Sequence, residues 1–328
     1  MNNYKSICNK SSTTWQLEVQ YNYKSTNQID VDQITFDKIY FLLQESNYKE
    51  LISNLKKMRR FCTNSMISQF PLKYDFIIFL SDCISVNDPI DVMLETLKLL
   101  KKLFIQPLFI DYFYNSISGE ALLSQISSLL TQYQNFEIYT LVLENFINFS
   151  GGTIQERDIS LKYMTIDTLF SILKSEEIDP LIKYYASRII HNYCRQDIDL
   201  QIGIQIMVEI NEIWHTNISD DVKIELNWSI NHLGSSLKID WIKTIKKYQM
   251  FDNFFEGLVY DNPNLTIISL YIIFQIIEDW NEPLKIDFNY IQSLLSDLDN
   301  KDNISIGCFC FRHLIKLDQS KALLAKDL

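Results

Sequence analysis

Apolar residues recur along the chain at spacings of three and four residues, which is the pattern of amphipathic helices. Three runs show this spacing clearly, over residues 90–100, 184–193 and 268–276. Further helical stretches are predicted over residues 48–61, 122–130, 161–173, 202–213 and 286–298. The 6 prolines fall between these runs rather than inside them. The pattern therefore predicts helices throughout the chain.

A polar capping cluster opens the successive helical runs at a regular interval. The clusters are Asn87-Asp88-Pro89, Gln134-Asn135, Asp179-Pro180, Asp220-Asp221, Asn262-Pro263 and Asp302-Asn303. Asp and Asn accept hydrogen bonds from the amides of a first helical turn, and proline at the next position sacrifices no hydrogen bond there. The openings lie 40 to 46 residues apart. Two or three helices per ~40–47 residues is the period of armadillo and HEAT repeats.

This period predicts both the fold and the domain organisation. One such unit cannot bury its apolar faces alone, and stacking on neighbouring units does so. The predicted fold is an all-α armadillo/HEAT-type α-solenoid, a right-handed superhelix of about six to seven repeats with a concave groove. We expect residues 1–32 to be a polar, poorly ordered lead-in and residues 33–328 to form the repeat domain, with the first repeat beginning near Thr35.

Composition and charge argue against several classes of protein. Only 7 of 328 residues are glycine, about 2% against a usual ~7%, whereas nucleotide-binding α/β enzymes need glycine at their phosphate loops. The net charge of −11 opposes binding to nucleic acid and suits a basic partner, although solubility alone would explain it. The longest apolar stretch, residues 265–277, is too short to span a membrane.

Cysteine and histidine positions argue against metal, redox and catalytic sites. The 6 cysteines form no Cys-x-x-Cys pair, which indicates a reducing compartment, the cytoplasm and/or the nucleus. The four histidines are dispersed without His-x-x-x-His spacing: His191, His215, His232 and His313. No phosphate-binding loop, dinucleotide fingerprint or nucleophile elbow occurs. We therefore expect no enzyme activity, no cofactor and no metal.

Three helix endings carry a family resemblance. They read Asn-Phe-Ser-Gly-Gly-Thr at residues 148–153, Asn-Tyr-Cys-Arg at 192–195 and Asn-His-Leu-Gly-Ser-Ser at 231–236. These endings resemble the Asn-apolar-small-small-Gly endings of the armadillo repeats of importin-α (karyopherin-α). The segment 45–63, with Lys-Lys-Met-Arg-Arg at 56–60, is similar to the entry helix of that family. The resemblance covers most of residues 33–328 as architecture.

The resemblance implies a binding site for an extended, basic peptide of the nuclear-localisation type. In the family an asparagine of each repeat holds the peptide backbone, since its amide both donates and accepts. A tryptophan four residues earlier packs lysine stems, and nearby acidic residues attract their charges. The positions of this chain that the resemblance assigns to peptide binding are Asn148, Asn192, Asn231, Glu144, Trp228, Tyr271 and Gln275.

The sequence also departs from the family pattern. Trp228 lies three residues before Asn231 rather than four, and Tyr271 stands where the family has tryptophan. Lys101 and Arg188 on the same face would repel a basic peptide locally. The first thirty residues lack the arginine-rich segment with which relatives recruit importin-β, so we do not expect that partner.

Two functional hypotheses remain open at this stage. The first is an importin-α-like adaptor that grips an extended basic peptide. The second is an armadillo or HEAT scaffold that docks a folded partner without an asparagine column. Asn also caps helix ends, aromatic residues at helical spacing usually pack inward, and the 56–60 cluster suits a solvated helix face. An acidic, asparagine-lined face would favour the adaptor, and an apolar or mixed face would favour the scaffold.

Overall fold

The computed structural model describes residues 42–62, 76–84, 89–258 and 262–279. Within these ranges all the regular secondary structure is helical. In chain order the helices are α1 Tyr48–Phe61, α2 Phe76–Asp82, α3 Ile90–Leu103, α4 Pro107–Asn115, α5 Gly119–Gln132, α6 Phe136–Ser150, α7 Ile154–Tyr163, α8 Ile166–Lys174, α9 Pro180–Cys194, α10 Leu200–Ile213, α11 Asp220–Leu237, α12 Ile239–Lys247, α13 Phe251–Leu258 and α14 Pro263–Asp279. None of the described helices has the length and apolar character needed to cross a membrane. The predicted all-α fold is confirmed.

Several predictions concern residues outside these ranges. They are the boundary between residues 32 and 33, the start of the first repeat near Thr35, the opening residues Asn87-Asp88 and Asp302-Asn303, the helical stretch 286–298 and His313. The chain divides into two compact units, Met1–Asn54 and Leu55–Leu328. In the described part of the first unit, Leu51 is buried and the Asn54 side chain donates a hydrogen bond to the Glu50 carbonyl. Helices α2 to α14 all lie in the second unit.

The architecture of the second unit rests on the last helix of each repeat. These are α3, α6, α9, α11 and α14, which we call the H3 helices, and each contacts the next along the chain. The starts of neighbours lie together, because Asn262 donates to Asp220 Oδ2 across 3.3 Å. The ends also lie together, because Asn148 Nδ2 donates to the Lys101 carbonyl across 2.7 Å. Successive H3 helices therefore run in the same direction.

A second row of helices packs on the H3 helices. The contacting pairs are α5 with α6, α8 with α9, α10 with α11, and α13 with α14. Helix α7 contacts α5, α6 and α9 and so fills the corner between two repeats. Each repeat thus covers its own apolar face with two or three helices and completes its core on the next repeat. This is the stacking that the 40-residue period predicts.

Capping side chains fix the starts of four H3 helices, α6, α9, α11 and α14, whereas at α3 the N-cap residue is Pro89 and no side chain caps the helix. Asn135 accepts from the amides of Glu137 and Ile138 at 2.9 and 3.1 Å, as predicted. Asp179 caps α9 and Asn262 caps α14 in the same way. At α11 the cap is Ser219 rather than the predicted Asp220-Asp221 pair. Those two carboxylates lie in the first turn, where they complement the helix dipole.

The predicted helical stretch 161–173 is interrupted. Helix α7 ends at Tyr163 and α8 begins at Ile166. The Thr165 hydroxyl accepts from the Thr168 amide across 3.2 Å and so starts a new helix. A capping hydroxyl offers the backbone an alternative to continuing the helix, and the apolar period does not register this competition.

Aromatic rings fill the core between α3, α4 and α6. Phe104 lies at the centre, with ring centroids 5.7 Å from Phe109, 5.9 Å from Phe113 and 5.1 Å from Phe149. The planes meet at 60–76°, the edge-on geometry that aromatic quadrupoles favour.

Cys194, at the end of α9, is also buried, and burial raises the pKa of its thiol. Cys194 therefore packs as a small apolar filler.

Candidate protein-binding face

The H3 helices present one row of polar and aromatic side chains that crosses the repeats. The row begins where Lys101 Nζ meets Glu144 Oε1 at 2.6 Å, and Glu144 also accepts from the Tyr185 hydroxyl at 3.5 Å. Arg188 lies over the Tyr184 ring, with its guanidinium carbon 5.9 Å from the centroid. These contacts link α3, α6 and α9. All five side chains are partly exposed.

The row continues across α11 to α14 through aromatic contacts. The Trp228 ring centroid lies 6.3 Å from that of Tyr271 and 6.1 Å from that of His232. We call the surface carried by Lys101, Glu144, Tyr184, Tyr185, Arg188, His191, Glu225, Trp228, His232 and Tyr271 the H3 face. The structure therefore brings the predicted Trp228 and Tyr271 together across neighbouring repeats.

Asn148 and Asn192 are half-buried at the ends of their helices, where each joins its repeat to the preceding one. Asn148 Nδ2 donates to the Lys101 carbonyl at 2.7 Å. Asn192 Nδ2 donates to the Ile147 carbonyl at 3.0 Å and to Ser150 Oγ at 3.2 Å. The carbonyls of a last helical turn lack donors within their own helix. The two asparagines thus supply hydrogen bonds between adjacent H3 helices.

The other two predicted amides lie on α11 and α14. Asn231 is only 8% exposed. Gln275 Oε1 is buried and finds no hydrogen-bond donor among the described residues. That oxygen lies against Gly234, where an added Cβ would come within 2.6 Å of it. Gln275 therefore reaches the last turn of the preceding H3 helix, as Asn148 and Asn192 do.

The charges of the H3 face are mixed and largely paired. Glu144 pairs with Lys101 at 2.6 Å. Glu225 Oε2 lies 2.5 Å from His191 Nδ1. At the first turn of α6, Glu137 pairs with Lys98 at 2.8 Å. The face is thus not uniformly acidic, and the Asn192 amide is not free to hold a peptide on both sides, because it already donates two hydrogen bonds from Nδ2.

A pair of histidines lies in the middle of the face, a feature that the sequence analysis missed. His191 Nε2 and His232 Nε2 are 3.2 Å apart, although the residues are 41 positions apart in the chain. Burial, followed by the charges of His191 and Arg195, lowers the pKa of His232 to about 3. The signal available in the sequence is the repeat period, which places His191 just before Asn192 and His232 just after Asn231.

The described residues of the face offer groups that can recognise a partner. Aromatic surface comes from Trp228, Tyr271 and Tyr184, and hydrogen-bond acceptors come from the amides and carboxylates. Among the residues that the structure describes, no group of three or more His, Cys, Asp and Glu side chains is arranged to hold a metal ion. Tyrosine, tryptophan and arginine side chains are enriched at protein interfaces.

Comparison with solved structures identifies the fold. A computationally designed armadillo repeat protein for modular peptide recognition is similar, with TM-score 0.60 and 11% identity over 73% of this chain and 98% of the other. The chain has an armadillo-type repeat fold. A designed armadillo repeat protein in complex with the peptide (KR)4 gives TM-score 0.59 at 12% identity, over 74% of this chain and 99% of that one. An engineered protein gives TM-score 0.62 at 12% identity, over 85% and 67% of the two chains.

The sequence itself has no close counterpart among the proteins compared. No protein-family profile and no curated protein matches the chain. The armadillo prediction is confirmed as architecture. The resemblance to importin-α, and the peptide-binding roles of the seven predicted residues, stay predictions.

Proposed function

We propose that this chain is a non-enzymatic scaffold that binds a protein partner along its H3 face. The observation that supports the proposal is the row of contacts on the H3 helices, from Lys101 on α3 to Tyr271 on α14. Half-exposed Trp and Tyr rings of this kind supply contact area at a small entropic cost, and they are enriched where proteins meet. Such a scaffold would act in the cytoplasm and/or the nucleus.

Docking of a folded partner is the mode that the geometry favours. The carboxylates Glu144 and Glu225 already have cationic or imidazole partners, so they are less available to a string of lysines. Asn192 donates two hydrogen bonds from Nδ2 between repeats, and Asn148 donates one. A partner with its own mixed charges and an apolar contact for Trp228 and Tyr271 fits this surface.

Binding of an extended basic peptide is the second candidate, and the aromatic end of the face favours it. A lysine or arginine stem would pack on Trp228 and Tyr271, whose rings accept cation–π contacts. The net charge of −11 would attract such a peptide. In this mode Asn192, which already donates two hydrogen bonds from Nδ2, would contribute its Oδ1 acceptor alone, whereas Asn148 donates one and keeps a second Nδ2 hydrogen for the peptide.

A titration with an alternating Lys-Arg peptide tests the peptide mode. Fluorescence polarisation with the full chain would give the affinity, and an alternating Glu-Ser peptide of equal length serves as the ligand control. The peptide mode predicts that Trp228→Ala with Tyr271→Ala weakens binding roughly tenfold, which corresponds to about 1.4 kcal/mol. Tyr163→Ala is the matched control, because Tyr163 lies on α7 and bonds to Glu120 on α5. Binding unchanged by Asn192→Ala plus Asn231→Ala would remove the assigned asparagine roles.

Site-specific crosslinking tests the scaffold proposal itself. A photoreactive residue in place of Trp228 is expected to capture one folded partner, and the same residue in place of Tyr163 is expected not to capture it. Equal capture at both positions would contradict a partner site on the H3 face. The two functional modes separate because only the peptide mode predicts measurable affinity for the isolated basic peptide.

A further inference from the structure

The two histidines of the H3 face approach each other with their Nε2 atoms. His191 lies on α9 and His232 on α11, and the Nε2 atoms are 3.2 Å apart. The ring centroids are 5.2 Å apart, and the planes are inclined by 23°. Because the nitrogens are closer than the ring centres, the Nε2 edges of the two rings are turned toward one another.

A carboxylate lies against Nδ1 of His191, the ring nitrogen that does not face His232, and it fixes the tautomer of the ring. Glu225 Oε2 lies 2.5 Å from His191 Nδ1. With the proton on Nδ1, His191 donates to Glu225, and its Nε2 lone pair is directed toward His232. A carboxylate that accepts a hydrogen bond from Nδ1–H is a usual second-shell partner of a metal-binding histidine. It sets the tautomer of the ring and raises the basicity of Nε2.

We propose that His191 and His232 form a two-imidazole binding site for a late first-row divalent ion such as Ni²⁺, Cu²⁺ or Zn²⁺. An ion about 2.05 Å from each nitrogen with a tetrahedral angle between them sets the nitrogens about 3.3 Å apart. The observed separation is 3.2 Å. Imidazole suits these metals, whereas Mg²⁺ and Ca²⁺ prefer oxygen ligands. The bound ion replaces the proton that would otherwise lie between the two rings.

The protein supplies two ligands, and the remaining coordination positions fall to other donors. Among the described residues no third ligand joins the pair, so water or a side chain of a binding partner completes the coordination. Arg195 opposes the positive charge of the ion, since its charge already acts on His232. The Glu225 carboxylate offsets part of this repulsion through His191. The site therefore binds more weakly than a closed four-ligand site.

Titration of the full chain with the metal ion alone tests the proposal independently of any partner. Calorimetry with Ni²⁺ and Zn²⁺ is expected to show one site per chain that is absent from His191→Asn and His232→Asn. Glu225→Gln is expected to weaken binding by about 10–100-fold, the usual effect of losing a second-shell carboxylate. Trp228 lies beside His232, so Cu²⁺ and Ni²⁺ are also expected to quench its fluorescence.

The chain contains a matched control for this titration. His215 Nδ1 lies 3.3 Å from Glu256 Oε2, so this ring also has a carboxylate beside it. The described structure shows no second imidazole next to His215. His215→Asn should leave the affinity unchanged. Circular dichroism of each variant establishes that it is folded.

Two results would overturn the proposal. One is a folded wild-type chain that binds none of the three ions. The other is equal affinity in the wild type and the His191→Asn, His232→Asn double variant, which would assign the ions to other groups. If the double variant does not fold, Cu²⁺ electron paramagnetic resonance of the wild type decides instead. Coupling to two imidazole nitrogens supports the site, and coupling to fewer contradicts it.

Discussion

At the scale of single residues, Asn148 and Asn192 have a role predicted from the family resemblance and a set of contacts observed in the structure. The family resemblance assigns Asn148 and Asn192 to the backbone of a bound peptide. In the structure their Nδ2 donors reach the last turn of the preceding H3 helix instead. The sequence predicts which residues lie at these positions but not the direction of each amide. That direction depends on carbonyls about 45 residues away, which only the stacked repeats bring near.

The hydrogen bonds between repeats lead to a stability prediction for the asparagines. Asn148→Ala and Asn192→Ala are each expected to lower the free energy of unfolding by about 1 kcal/mol, the net value of a typical intramolecular hydrogen bond. Chemical denaturation of the two variants measures the change. Asn217→Ala is the control, because this asparagine is exposed on the loop before α11, and a change within about 0.5 kcal/mol is expected there.

An equal effect at all three asparagines would contradict the inter-repeat role. The same three variants also separate structure from binding. Variants that lose stability and still bind the partner normally would leave Asn148 and Asn192 with a structural role alone.

At the scale of elements, the helices follow from apolar periodicity and capping, and the deviations come from local competition. Asn135 and Asp179 cap the helices that the sequence predicts. Ser219 and Thr165 start helices one or more residues from the predicted positions, since several adjacent side chains could serve as the cap. Period and composition cannot choose among such neighbours. The packing of the helices on adjacent repeats makes the choice.

Two phenylalanines of helix α6 test which of its side chains stabilise the packing of the repeats. Phe149 is fully buried against Phe104 and Phe113, whereas Phe136 at the other end of α6 is 54% exposed. Phe149→Ala is expected to destabilise the fold by about 3–5 kcal/mol, through lost apolar burial and the cavity left behind. Phe136→Ala is expected to cost about 1 kcal/mol or less. Denaturant unfolding compares the two, and a larger effect at Phe136 would contradict the packing.

At the scale of the whole molecule, the sequence predicts the repeats, and the structure shows which residues of different repeats come into contact. The 40-residue period and the six openings are enough to predict an armadillo-type stack, which the solved structures confirm. The repeat period places His191 and His232 at similar positions in neighbouring repeats, but it does not predict that they contact each other or that Glu225 contacts His191. These three residues are unremarkable within their own helices, and they meet only when α9 lies on α11. The mixed charge of the H3 face has the same origin, because its ion pairs join different repeats.

The central claim is that the H3 face is where this protein meets its partner. Hydrogen–deuterium exchange of the full chain, with and without the partner captured at Trp228, tests it most directly. We expect added protection along the H3 helices α3, α6, α9, α11 and α14, and unchanged exchange along the second-row helices α5, α8 and α10, which contact α6, α9 and α11. Protection confined to α5, α8 and α10, or absent from the H3 helices, would contradict the account.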